Sequence, residues 1–427
     1  MSNLGFTFPV KIRIKLVLFF VIGGLYFFGT FGFLNLFNLR LIVHILYFTI
    51  LFLVFTSNPK YFHDKYFYVP LFIFYFLFSI GGLVHQNLYF SFFEGAVLFF
   101  LHTLMLKIKF QEVDKIINSL LSLTSLLCFF VFTVSLVYFI NPQNIGSANT
   151  QIYDSLTGYR PAITGNLYDY FSFTSGDGYV LFGRVLIRMK GYCNEPSATI
   201  IHYFAPIVFV LISKKSTPLL ILIIFANIFS ISSFTTYLIL VLTSIIFVIN
   251  IQTKAFKKYF LYFTAIILIV IILNYNTVLS LFNFFNQLLL MYDYDLLSRK
   301  IGDGYDGSNL FNRQTGIITG FYNIFKYPLG YPGSELGPGA GLIYIVSMRT
   351  GILGVLFLLI FLYKLIYLIY ENIKIKQYVF HSIVGYSLML SIVLVATFIS
   401  GYGWDRPPGL VILLLFYRIA KFDLLGK

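Results

Sequence analysis

Between Gly183 and Tyr203 the chain reads Gly-Arg-Val-Leu-Ile-Arg-Met-Lys-Gly-Tyr-Cys-Asn-Glu-Pro-Ser-Ala-Thr-Ile-Ile-His-Tyr. Arg184, Arg188, Lys190 and Glu195 stand there, immediately before an apolar run. A guanidinium presents a planar fork that matches two phosphate oxygens at once, and an ammonium adds a compact point charge. In a chain this poor in charge, such a cluster suits an anion carried on a lipid, and we read it as a grip for the diphosphate of a lipid-linked sugar. Pro196 fits the first turn of a helix, where its missing N–H costs nothing. Glu195 then sits at the positive end of the helix dipole. It either caps that end, orients Arg188 or Lys190, or serves as a base.

A second cluster joins Arg313 to the run Lys326-Tyr-Pro-Leu-Gly-Tyr-Pro-Gly-Ser-Glu-Leu-Gly-Pro-Gly-Ala-Gly341. Its glycine and proline density predicts a turn-rich segment whose backbone amides can hold an anion or sugar hydroxyls. Arg349 follows, about two turns into the next apolar run. A charge at that depth is costly unless it meets a polar cavity or a partner, so it is a functional candidate. Arg188, Arg313, Arg349 and Glu195 are the expected catalytic group. Arg184, Lys190, Arg160, Tyr327, Tyr344 and Arg406 are the expected substrate contacts.

Other polar residues read more simply. Glu94, inside an apolar run, suits pairing with an arginine of another span. His44 and His102 also lie in apolar runs, where packed, hydrogen-bonded histidines are expected. Asp293, Asp295, Asp303 and Asp306 lack the spacing of a calcium loop. The sequence shows no zinc spacing, phosphate-binding loop, dinucleotide fingerprint or paired-aspartate sugar-nucleotide motif. Neither a metal nor another cofactor is therefore expected.

These residues must be positioned by apolar helices. The chain has 427 residues, of which 59% are hydrophobic and 11% charged, with a mean hydropathy of +0.85. A soluble domain carries about a quarter charged residues. Apolar runs of about 17–25 residues recur, each long enough to cross about 30 Å of hydrocarbon as a helix. They predict an all-α polytopic membrane protein, a single integral domain over 1–427. About twelve spans are expected, the 218–250 stretch reading as one bent pair or one re-entrant helix. Two long polar segments, 141–195 and 283–340, interrupt the spans. Leu16 to Leu34 lacks a small-residue cleavage site and reads as a retained first span. Cys128 and Cys193 imply no disulfide framework.

The net charge of +14 comes largely from lysines beside the spans, as a positive cytoplasmic side requires. Nucleic acid is not an expected partner. With both termini inside, the outer side receives Arg40, Arg160, Arg184, Arg188, Arg299, Arg313, Arg349 and Arg406, while most lysines stay inside. Pairing with outer carboxylates is the simpler account of those arginines, and phosphate binding the functional one; both can coexist.

The motifs resemble those of the O-antigen polymerase and ligase superfamily. The resemblance rests on Arg-x-x-Gly-x-x-x-Glu-Pro-Ser-Ala at 188–198, on Arg313 followed by Tyr327-Pro-Leu-Gly330, and on Gly351-Ile-Leu-Gly354. It covers roughly the second half of the chain. Ligases of that superfamily carry a histidine and an Asn, Ser or Gln ahead of the Gly-x-x-Gly; here Ala340 and Gly341 occupy those places, which favours a polymerase. Arg160 and Gly176 are spaced as an arginine–glycine pair of some polymerases, and Arg313 and Gly330 miss that spacing by one residue. The resemblance implies a bacterial inner-membrane glycosyltransferase with its site on the outer face. Such an enzyme transfers a growing glycan from polyprenyl diphosphate onto a carrier-linked repeat unit. It implies membrane lipid, the polyprenyl-diphosphate-linked oligosaccharide and a chain-length regulator protein as partners. A ligase joining glycan to a lipid core, and a flippase for lipid-linked oligosaccharide, stand as alternatives.

Overall fold

A computed structural model describes chiefly residues 39–56, 65–86, 90–107, 151–154, 158–161, 174–181, 184–189, 199–213, 234–250, 324–330, 341–398 and 407–425, with most of 111–125. Its helices, in chain order, are α1 Leu39–Thr56, α2 Lys65–Gln86, α3 Phe90–Lys107, α4 Thr199–Ser213, α5 Phe234–Asn250, α6 Leu342–Ile375, α7 Phe380–Phe398 and α8 Pro407–Leu425. Each coincides with an expected apolar run. The expected span at 259–281, and nearly all of that at 16–34, lie outside the described residues.

Two of the described helices, α6 and α7, are long and apolar enough to cross a bilayer. α1 to α5 have apolar cores of shorter length. The faces they turn outward are as apolar as those they bury. On α1, His44, Tyr47, Leu51 and Val54 are buried, while Ile42, Ile45, Leu46 and Phe52 are exposed. On α5, Val241, Ile245 and Ile249 are exposed at four-residue spacing. A helix at a water surface turns a polar face outward, so this pattern suits hydrocarbon.

α6 is the hub. It packs against α2, α7 and α8, and α7 in turn meets α4 and α5. α3 joins α1 to α2 and reaches α8. Between apolar helices in hydrocarbon there is little hydrophobic drive, so polar ties and close packing count for more. Tyr75 on α2 and His102 on α3 share a hydrogen bond of 3.0 Å between the hydroxyl and Nδ1. His102 also packs edge-on to Phe361 of α6. That is the packed, bonded role expected of it, and His44 is likewise buried.

The short turn from α6 to α7 is tied to α8. Asn372, fully buried, donates from Nδ2 to Ala420 O at 2.7 Å. Lys376 pairs with Asp423, whose Oδ2 also accepts the Tyr386 hydroxyl at 2.6 Å. Arg418 donates to Leu106 O at 3.0 Å, linking α8 to α3.

The first long polar segment departs from the all-α expectation. It forms two antiparallel hairpins: β1 Gln151–Asp154 with β2 Gly158–Pro161, and β3 Thr174–Leu181 with β4 Arg184–Met189. The run Arg-Val-Leu-Ile-Arg-Met carries three apolar residues in a row, two of them β-branched, between its arginines, which favours a short strand. A register shift between Thr174 and Gly178 places a bulge around Gly176, where a glycine is common in strands.

Asp423→Ala leaves Lys376 and the Tyr386 hydroxyl without their shared acceptor. It should lower stability by about 1–3 kcal/mol, read as a reduced melting temperature of the protein in detergent micelles, while Glu371→Ala, on the exposed side of α6, leaves the melt unchanged.

Candidate functional site

Arg349 lies in the last turn of the first part of α6. Every residue from Leu342 to Gly351 is buried, and Arg349 is 3% exposed. Its guanidinium carbon stands 4.8 Å from the centre of the Phe78 ring on α2. A cation over an aromatic face gains most where water is excluded. The end of a helix also gathers carbonyls that favour positive charge. These two effects account for an arginine at a depth where it would otherwise be costly.

That helix end exists because α6 is broken at Gly351, whose φ of 61° and ψ of −153° are not helical. This region of backbone space is essentially restricted to glycine. The Ile352 N–H, which in an unbroken helix would donate four residues back, donates instead to Pro328 O at 2.9 Å. Pro328 belongs to the turn Tyr327-Pro-Leu-Gly330, closed by the Gly330 N–H donating to Tyr327 O at 3.0 Å. Proline suits the second place of such a turn and glycine the fourth. Gly330 has φ 108°. A Cβ on Gly351 would fall 2.0 Å from Pro328 O, and one on Gly330 2.9 Å from Arg349 O. The end of the second long polar segment is thus seated on the main chain of the helix break, and Arg349 is fixed beside it.

The expected site residues fall as follows. Arg349 and Tyr344 share the buried first part of α6, and the turn that begins at Tyr327 docks on its end. Arg184 and Arg188 lie on β4, four residues apart and therefore on one face of the strand. Arg160 lies on β2, opposite Ile152. Only the backbone of these three arginines is described, as is that of Glu94 on α3. Lys190, Glu195, Arg313 and Arg406 lie outside the described residues, as do Asp293, Asp295, Asp303 and Asp306.

Phe78 escaped the sequence reading, and so did the ring contacts of Lys326, the residue that opens the second cluster. Phe78 gives no signal, because phenylalanine fills every span. Lys326 sits between two rings, with Nζ 5.8 Å from the Tyr322 ring centre and 5.3 Å from that of Tyr327; the tyrosines four residues before and one after it were a readable hint. Comparison with protein-family models, curated proteins and solved structures gave no match to this chain.

Gly330→Ala and Gly351→Ala each force a methyl into the same joint and should each cost about 1–3 kcal/mol. Because either one displaces the turn, the double variant should cost clearly less than the sum. Unfolding of the four proteins in a double-mutant cycle measures this; strict additivity would mean that the turn and the break do not act as one joint.

Proposed function

We propose that this chain is a polytopic bacterial inner-membrane glycosyltransferase. It polymerises a surface glycan by moving the growing chain from polyprenyl diphosphate onto a new carrier-linked repeat unit. The observation that carries the proposal is the buried Arg349 at the break in α6, with the glycine-proline turn of a long polar segment seated against it. Interrupted helices within apolar bundles occur where irregular backbone lines a cavity or a site. A fixed guanidinium in a dry setting is what the departure of a diphosphate needs, since negative charge develops on the leaving oxygen.

In this reading Arg349 works with Arg188 and Arg313, and Arg184 and Lys190 add charge. Tyr327, Tyr344, Arg160 and Arg406 contact the sugars or the phosphates. The acceptor hydroxyl loses a proton to a base, for which Glu195 is the candidate. The glycan passes from the anomeric carbon–oxygen bond of the donor diphosphate to that hydroxyl, and polyprenyl diphosphate leaves. The four-residue spacing of Arg184 and Arg188 on a strand, in a polar segment that precedes α4 in the chain, supports their joint role.

Arg188→Ala tests the reading at a residue outside the helical core. Loss of one such donor should raise the barrier by about 2–4 kcal/mol, seen as the disappearance of long glycan chains in membranes that still contain the protein. Arg349→Lys keeps the charge and loses the planar fork, and should shorten the ladder as well. Unchanged ladders in both would end the assignment. Deletion of the gene separates the alternatives: single repeats at the surface mark a polymerase, glycan absent from lipid core a ligase, and units trapped inside a flippase.

A further inference from the structure

A second polar feature lies on the other half of α6, away from Arg349. Between α6 and α8 runs an open groove of about 300 Å³, lined by Tyr363, Lys364, Tyr367, Leu368, Tyr417, Lys421 and Leu424. Lys364 and Lys421 line it, and among the described residues no carboxylate does. Glu371 on α6 and Asp423 on α8 are occupied elsewhere. Glu371 accepts from Lys374 Nζ at 3.4 Å, and Asp423 accepts from Lys376 and the Tyr386 hydroxyl. Lys421 Nζ lies 5.9 Å from the centre of the Tyr417 ring, one turn before it on α8.

The groove continues an apolar stripe. Leu353, Leu356 and Ile360 are exposed on α6, and Tyr363 and Tyr367 extend the same line at alternating spacings of three and four residues. Tyr363 is 71% exposed and Tyr367 51%. Rings so open suit the boundary between hydrocarbon and water, where a tyrosine has an apolar body and a wet tip. The stripe is thus hydrocarbon-like along most of its length and cationic at one end.

We infer that this groove binds an anionic phospholipid of the leaflet on the side of the α6–α7 turn. The acyl chains lie along the leucine–isoleucine stripe, and Lys364 and Lys421 hold the phosphodiester. Basic pockets between membrane helices on the cytoplasmic side bind such headgroups. A zwitterionic lipid is disfavoured, because its ammonium would be brought to two lysines with no carboxylate to receive it. The inference rests on the bilayer-spanning part of the proposal above, and not on glycan transfer.

The test uses the purified full-length chain. Its flotation with liposomes of phosphatidylcholine checks the bilayer reading first; a chain that does not float overturns that reading and the lipid site with it. Native mass spectrometry then compares the retention of phosphatidylglycerol and phosphatidylcholine from mixed micelles. The intact chain should retain phosphatidylglycerol at least about fivefold better, the scale set by one lysine near an anionic surface. Lys364→Gln/Lys421→Gln should abolish the preference while the melt in phosphatidylcholine stays unchanged. Lys374→Gln, outside the groove, should keep it. A chain that floats but shows no preference, or a preference that survives the double substitution, would overturn the lipid site alone.

Discussion

One main-chain hydrogen bond, from Ile352 N–H to Pro328 O, organises the part of the molecule most relevant to chemistry. A helix crossing an apolar medium satisfies its own backbone, and a break in it exposes groups that are expensive to leave unpaired. Here the break is made by a glycine conformation and repaired by a turn that arrives from a polar segment. The repair creates a helix end where none would exist, and the end stabilises the arginine in its last turn. Arg349, Gly351, Pro328 and Gly330 are therefore one construction rather than four separate features.

The rest of the described bundle holds that construction in place. α2 supplies the Phe78 ring, and α7 and α8 brace the distal half of α6. Those braces are polar ties: the buried Asn372 amide to Ala420 O, and the part-exposed Asp423 carboxylate shared by Lys376 and Tyr386. In hydrocarbon such ties set the register of helices that dispersion alone would leave free to slide. The second part of α6, from 352 to 375, is about 36 Å long at 1.5 Å per residue, enough to carry the constraint from the break to the α6–α7 turn.

Much of this was legible beforehand, and the gaps have physical causes. The apolar runs located every described helix, because twenty apolar residues in a row leave the backbone few options. Arg349 stood out as a charge that needed an explanation. The break at Gly351 did not, since a glycine inside a leucine-rich helix is tolerated as often as it bends one, and the contact that decides the matter involves only main-chain atoms. Lys364 interrupts the apolar run and reads as a boundary, yet α6 does not end there. The helix continues to Ile375 because a lysine can lay its stem along an apolar face and keep its head in water. The hairpins of the first polar segment were hidden by its glycine, serine and aspartate content. Only the short apolar run Val185, Leu186 and Ile187, with two β-branched residues, hinted at a strand. Aromatic partners such as Phe78 have no sequence signature in a chain where one residue in five is aromatic.

The joint between the turn and the helix asks for a proline, two glycines and nothing particular from the side chains around them. Substitutions elsewhere in the polar segment, among its tyrosines, acids and amides, leave that hinge-pin untouched, because it is made of main-chain atoms. A scaffold of this kind separates what must stay constant from what is allowed to diversify.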